Sequence, residues 1–339
     1  MQITTIGLDL AKNTFHVVGL NQANTVVMKK KLRRNQVLDY FSRLSNCIVA
    51  MEACGGAHYF GRELEKQGHC VKLIPPKYVK PYVQGNKNDY NDALAIAEAA
   101  KRPKMRLVKI KSMEQQDLQS LHRLREALVR QRTRTCNQIR GLLAEYGITI
   151  PKGISRVRTC IPRILEDAEN GLTSTFRQLL SQTYQHLQRL DTDIKNYDQQ
   201  LQAIAKTDKA AQQLQTIPGY GPVVSSVFLS VMGDGQAFKR GRDVGAYLGL
   251  VPRQHSSGDK PVLLGISKRG NRYLRGLLIH GARSVIRVAA NKEDRLSRWA
   301  MKLVERRGKN KATVALANKL ARIGWAVLTQ DTVYQARYA

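Results

Sequence analysis

Short apolar runs bounded by glycine, proline or charge mark the first hundred residues as strand-rich. Residues 3–8, 15–20, 47–51 and 71–74 are such runs, four to six residues each, the length of buried strands rather than of helices. The first two read as a hairpin pair. Between the last two, residues 58–67 read as a crossover helix, so 47–74 has the form of a βαβ unit with a parallel pair. Pro75-Pro76 stops the last strand, and a helix follows from Asp92 to about Ala100. The pattern predicts an α/β domain ending between Pro103 and Lys111, with its boundary set at residues 1–112.

The period changes after Glu114. Leu118, Leu121, Leu124, Leu128, Ile139 and Leu142 recur at threes and fours, with Arg123, Arg125, Arg130, Arg132, Arg134 and Arg140 interleaved. Gly147 and Pro151 end that helix. In a second helix, 172–206, Leu180, Leu187, Ile194 and Leu201 repeat every seven residues, and so do Leu190, Tyr197 and Ile204. This heptad seam predicts coiled-coil pairing, either with helix 114–145 folded back or with a second subunit. Residues 113–206 thus read as a helical coiled-coil linker.

Residues 207–339 read as a mainly helical domain. Ile217-Pro218-Gly219-Tyr220-Gly221-Pro222 precedes an apolar helix, and helices at 273–290 and 313–328 close the chain. A Pro-Gly-x-Gly turn between helices has the form of a helix-hairpin-helix motif, whose backbone N–H groups can hold a phosphate. A plain helix connection has the same pattern. Between residues 252 and 272 lies a glycine-rich basic stretch with Arg253, Lys260, Lys268, Arg269 and Arg272.

Charge narrows the partners. Lys and Arg number 56 against 26 acids, a formal net charge of +30, which favours a polyanion bound with strong salt dependence. No apolar run approaches the ~20 residues of a spanning helix, and no signal peptide is recognisable, so membrane roles are not expected. Cys47, Cys54, Cys70, Cys136 and Cys160 are odd in number and irregular in spacing, which fits a reducing cytoplasm rather than a disulfide framework. Cys54, His58, His69 and Cys70 match no common zinc spacing, and packing is the better account of them.

Four acids carry the candidate chemistry. Asp9 ends the first apolar run, Glu52 follows the third, and Asp89 and Asp92 open a helix; residues 1–92 otherwise hold only Asp39, Glu63 and Glu65. Asp89 and Asp92 are three apart and share a helix face. Helix capping by Asp89 with Asp92 in the first turn is the structural alternative. Acids at strand ends and a helix start can converge on Mg²⁺, and paired ions can clamp both oxygens of a phosphodiester displacement. A nucleophile could come from Ser256-Ser257-Gly258, although loop serines are usually turn residues.

Gly7-Leu8-Asp9-Leu10-Ala11-Lys12, Met51-Glu52-Ala53-Cys54-Gly55-Gly56, Asn88-Asp89-Tyr90-Asn91-Asp92-Ala93, Ile217-Pro218-Gly219-Tyr220-Gly221 and Gly249-Leu250-Val251-Pro252-Arg253 occur in that order, the last ahead of Ser256-Ser257-Gly258. In these motifs the whole chain resembles transposases of the insertion-sequence-110 family, of the 1111-type subgroup. The resemblance implies a RuvC-like (RNase H-like) N-terminal domain whose quartet Asp9, Glu52, Asp89 and Asp92 binds Mg²⁺. It also implies a coiled-coil linker and a C-terminal transposase domain with a catalytic serine, which falls on Ser257 or, one residue earlier, Ser256. The expected activity is recombination of donor and target DNA through a phosphoserine link, guided by a non-coding RNA that pairs with both DNAs.

A homo-oligomer, dimer or tetramer, would form through the coiled coil, with the active site assembled across domains. Localisation would be cytoplasmic in a bacterium, on the nucleoid when acting. Gly219, Gly221, Arg253, Lys268, Arg269 and Arg272 are the expected nucleic-acid contacts. Two rivals remain: a metal-dependent junction-resolving nuclease that uses water, and a non-catalytic nucleic-acid-binding protein.

Overall fold

A computed structural model describes residues 2–86, 88–257 and 262–338. Gly258 and Lys260, named above, lie outside them. The chain divides into two compact units, Met1–Met113 and Glu114–Ala339, giving a mixed α/β unit followed by a helical one.

The first unit is built on a five-stranded sheet in the order β3-β2-β1-β4-β5. β1 (Thr5–Asp9), β2 (Thr14–Leu20) and β3 (Val26–Arg33) form an antiparallel meander. β4 (Ile48–Glu52) and β5 (Cys70–Ile74) add in parallel on the other side of β1, as the βαβ pattern predicts. The edge strand β3 is new relative to the sequence reading. Its run Val26-Val27-Met28-Lys29-Lys30-Lys31-Leu32-Arg33 is mostly exposed, so no apolar run announces it. The outer edge of β5 makes an isolated bridge from Leu73 to Val108.

Strand alternation sorts side chains onto two faces. Ile6, Leu8, Phe15, Val17, Val49 and Met51 pack with α1 (Val37–Ser42) and α2 (Ala57–Lys66), the expected crossover helix. The opposite face carries Gly7, Val18, Leu20, Ala50 and Ile74. Against it lies α4 (Asp89–Ala100), which follows the short α3 (Pro76–Val79) and contributes Ala93, Ala97, Ala95, Ile96 and Ala99. A Cβ on Gly7 would stand 1.9 Å from the Ala93 carbonyl oxygen and 2.8 Å from the Ala97 nitrogen. Glycine at position 7 is therefore what lets the helix backbone lie directly on β1.

In the second unit, α5 (Met113–Ala144), α6 (Ile154–Glu166) and α7 (Ser174–Thr207) pack together. α5 folds back antiparallel to α7: Arg125 meets Asp198 at 2.5 Å, Arg132 meets Asp191 at 3.2 Å, and the Tyr146 and Phe176 rings lie 4.2 Å apart. Leu180, Leu187, Ile194 and Leu201 are all buried, whereas Ile204 of the second heptad row is exposed. The apolar stripe of α5 has a different phase from the one expected. Ile139 is buried with Cys136 and Leu143, while Leu124 and Leu142 are exposed, because the side facing α6 and α7 runs through the first three. α6, missed because Pro162 interrupts its pattern, adds Arg158, whose guanidinium forks onto Asp191 at 2.5 and 2.7 Å. Asp191 thus ties three helices through two arginines.

The expected linker, 113–206, and the expected C-terminal domain, 207–339, lie together in this unit. α8 (Lys209–Gln215), α9 (Pro222–Met232), α10 (Gly241–Tyr247), α11 (Arg272–Ala289), α12 (Arg295–Arg307) and α13 (Lys309–Thr329) surround a core that includes Leu214, Tyr220, Phe228, Leu278 and Leu316. A two-stranded hairpin, β6 (Pro252–Gln254) and β7 (Leu263–Ile266), projects from it. Buried His122 on α5 meets Ser226 Oγ on α9 at 3.0 Å and the Tyr273 hydroxyl on α11 at 3.4 Å. Burial, and secondarily Arg125, pushes its pKa down to about 4, so this junction is a neutral one. Among the described residues, no helix is long and apolar enough to cross a membrane.

Candidate metal centre and serine hairpin

Three strand-borne groups reach the same end and the same face of the sheet. Asp9 has the parity of Gly7, and Glu52 that of Ala50, so both carboxylates project from the face covered by α4. Leu8 pairs with Met51, which sets Asp9 and Glu52 side by side one residue further along. His16 on β2 pairs directly with Asp9, and directly opposed residues share a face with Cβ atoms about 4.5–5.5 Å apart.

α4 brings the other two acids. Its cap is Asn88, whose side chain accepts from the Tyr90 N–H at 2.9 Å. Asp89 is therefore the first helical residue and not the cap, which leaves its carboxylate free of the capping role. Asp89 Oδ2 lies 3.4 Å from His16 Nδ1. Ligand atoms of Asp9, His16 and Asp89 all fall within 4.8 Å of one another.

The charges of the other acids bear on Asp9 and Glu52. Asp9 has its pKa raised, first by burial, then by the charges of Asp92 and Asp89. Glu52 is raised by burial, then by Asp9 and Asp92. Like charges held this close, partly out of water, are favourable only when a cation or protons compensate them. The donor set and the orphaned nitrogen of His16, buried with no hydrogen-bond partner, both fit a divalent cation. Distances bring Asp9 and Asp89 together with His16, strand register sets Glu52 next to Asp9, and Asp92 acts on both Asp9 and Glu52 through its charge; His16 escaped the sequence reading. Only its register opposite Asp9 would have flagged it.

The cysteine–histidine set does not assemble. His69 is buried, its Nε2 3.1 Å from the Phe41 carbonyl and its Nδ1 3.4 Å from the Cys47 N–H. His58 Nδ1 accepts from the Lys111 N–H at 3.2 Å. Both are structural.

A second feature missed in the sequence is a cleft of about 680 Å³ at the same end of the sheet, lined by Asn13, Thr14, Arg33, Arg34, Asn35, Leu38, Tyr59 and Phe60. The Arg34 guanidinium sits 5.2 Å from the Phe60 ring centre and 5.9 Å from that of Phe15, while Tyr59 is exposed. Arginines with one exposed aromatic ring in the same cleft suit a phosphate and a stacked base.

In the second unit, Ser257 is exposed where the hairpin leaves β6. Ser256 Oγ is held within the hairpin, accepting from the Val262 N–H at 3.3 Å and from Gln254 Nε2 at 3.0 Å. The base of the hairpin is locked. A Cβ on Gly270 would stand 1.9 Å from the Tyr247 carbonyl oxygen, and one on Gly249 would stand 2.3 Å from that of Arg269. Buried Arg275 donates to the carbonyls of Leu248 and Arg269, both at 2.9 Å. Arg253, Lys268, Arg269 and Arg272 are all exposed around this base.

The Pro218–Gly221 turn has a packing reason for one of its glycines. Gly219 has φ +84° and faces α11, where its added Cβ would come 2.8 Å from the Gly281 carbonyl oxygen. Gly221 is exposed at the start of α9, with Pro222 as the first helical residue.

Comparison with known proteins points one way. A family model described as transposase IS116/IS110/IS902 family matches residues 211–297. A second, the DEDD transposase model of IS110, matches residues 6–148, which spans the four acids. The chain is 48% identical over 336 residues to a probable family 20 transposase of Pseudomonas aeruginosa, covering 99% of both. It is 47% identical to the transposase for insertion sequence element IS1111A of Coxiella burnetii, covering 98% of this chain and 92% of that protein. A transposase for IS1328 of Yersinia enterocolitica is 41% identical, with 98% of each covered.

Proposed function

The chain belongs to the IS110 family of insertion-sequence transposases, and from that premise we propose that it cuts and rejoins DNA strands with a carboxylate-held divalent cation and a serine nucleophile. The observation that carries this reading is the gathering of Asp9 and Asp89 within 4.8 Å around His16, with Glu52 beside Asp9 in register and Asp92 raising the pKa of both Asp9 and Glu52. Strand order 3-2-1-4-5 with a helix carrying two of the acids supports a RuvC-like assignment of the first unit. The buried seam of α7 supports a coiled-coil element, and the α8–α9 turn supports a helix-hairpin-helix role.

Asp9, Glu52, Asp89 and Asp92 would hold the ion; all-oxygen donors of this kind suit Mg²⁺. When bound, such an ion supplies charge neutralisation at the scissile phosphate. Ser257 Oγ attacks phosphorus as a phosphodiester P–O bond breaks, so that one strand end becomes esterified to serine and the other leaves as a hydroxyl. A hydroxyl of the partner strand then displaces the serine, and no external energy source is required. Ser257 is favoured over Ser256 because the hydroxyl of Ser256 is engaged in holding the hairpin. Arg253, Lys268, Arg269 and Arg272 hold nucleic-acid backbone around the serine. Arg33, Arg34 and Tyr59 do so at the cleft between β2, β3 and α2. Sequence choice comes from a guide RNA that pairs with donor and target.

The test is a denaturing gel of full-length protein incubated with labelled element-end DNA, divalent cation and the RNA that co-purifies with it. A protein–DNA adduct is expected from wild type and Ser256→Ala, and none from Ser257→Ala or Asp9→Asn. Cleavage without any adduct would assign the attack to water instead. Sequencing the co-purified RNA gives one defined species if guidance is correct and bulk cellular RNA if it is not.

A further inference from the structure

We propose that His16 is itself a ligand of this centre: its Nδ1 joins oxygens of Asp9 and Asp89 on one divalent cation, making a mixed nitrogen–oxygen set that holds Mn²⁺ more tightly than Mg²⁺. The inference rests on the metal-binding reading above and goes beyond the four acids that reading uses.

His16 is only 8% exposed, and its Nδ1 is buried without a hydrogen-bond partner. A buried imidazole nitrogen with nothing to bond is a cost the fold carries for a reason. Nδ1 points at the acids, 3.4 Å from Asp89 Oδ2, and the three donor atoms span no more than 4.8 Å. Around an octahedral ion with bonds of about 2.1 Å, adjacent ligands stand ~3 Å apart and opposite ones ~4.2 Å apart. The observed spread needs only sub-ångström adjustment to meet this.

The ring is also held in place. β2 fixes its backbone opposite Asp9 on one side and Lys31 on the other, and the Tyr90 ring meets it edge-on at 4.9 Å. Tyr90 lies between the two acids of α4, so the same helix turn that presents Asp89 also orients the imidazole. Imidazole nitrogen raises affinity for first-row transition ions far more than for Mg²⁺, which prefers oxygen and keeps its water. For Nδ1 to ligate, the ring proton must sit on Nε2. The competing role is positional, with Nδ1–H donating to Asp89 and the ion bound by oxygens alone.

The experiment uses untagged, metal-stripped full-length protein titrated with Mn²⁺ or Mg²⁺, with Mn²⁺ followed by electron paramagnetic resonance and its neighbours by electron spin-echo modulation. Wild type is expected to show ¹⁴N coupling to bound Mn²⁺. His16→Gln, which keeps every other histidine, should lose that coupling and bind Mn²⁺ roughly 10–100-fold more weakly, with Mg²⁺ affinity changed far less. Bound Mn²⁺ with no ¹⁴N coupling in wild type overturns the proposal and leaves the carboxylate site standing, a result that needs no variant. If wild type binds no better than Asp9→Asn, the carboxylate site fails and His16 falls with it.

Discussion

Replacing Gly7 with alanine should separate the helix from the sheet at the point where the carboxylates are assembled. The added methyl would stand 1.9 Å from the Ala93 carbonyl oxygen, against 3.4 Å for ordinary contact, so α4 must retreat by about 1.5 Å. Both partners are backbone, and no side chain can swing aside. Overpacking of a filled interior costs about 1–3 kcal/mol and occasionally more; with two backbone atoms inside 3 Å, about 3 kcal/mol is the appropriate figure. For a unit of this size that corresponds to a melting temperature lower by about 10–15 °C.

The same retreat moves Asp89 and Asp92 by several times the ±0.2 Å that metal coordination tolerates. Thermal melts in chelator, read together with hydrogen exchange in residues 89–100, measure the first effect; Mn²⁺ titration measures the second. Gly55→Ala is the control, because a Cβ there meets nothing within 4 Å. A Gly7→Ala protein that melts within about 2 °C of wild type and binds Mn²⁺ equally well would refute this account of the site.

Further outcomes follow from the charges and the locks. Asp9 and Glu52 have folded-state pKa values above their unfolded ones, so the stability they permit is full below about pH 4 and is lost as pH rises through the raised values. Asp9→Asn should therefore be more stable than wild type in chelator at pH 7, equal to it near pH 3.5, and unresponsive to added Mn²⁺; lower stability at pH 7 would contradict the sign. Asp191→Ala leaves Arg132 and Arg158 without their shared carboxylate. Since the site is partly exposed, a loss of about 1–2 kcal/mol is expected, read as a drop of roughly 3–6 °C in the melting of the helical unit. Arg275→Ala removes both donors to Leu248 and Arg269, and limited proteolysis should then cut within 252–266 faster, with the cores of both units still protected.

Much of this was legible from residue pattern, and the gaps have physical causes. The apolar runs of β1, β2 and β4 could be read because they are buried on both faces, and that of β5 because its last two residues, Leu73 and Ile74, are buried before Pro75. β3 could not, since Lys29, Lys30 and Lys31 make an edge strand look like a loop. The acids were visible as charges ending apolar runs, whereas His16 lies inside such a run and only strand register reveals its partner. Pro162 within α6 and the dense charge of α12 hid two helices whose apolar faces are narrow. The α7 seam was read at the correct period, but the sequence left its partner open. Arg125–Asp198 and Arg132–Asp191 match it to α5 of the same chain.

The row of lysines along β3 has a consequence for how copies of this protein meet. An unpaired strand edge ordinarily invites another chain to extend the sheet, and closely spaced like charges on that edge repel such an approach. The opposite edge is met at one point, where Val108 bridges to Leu73. The charged β3 margin is therefore a poor place for a strand of another copy to add to the five-stranded sheet.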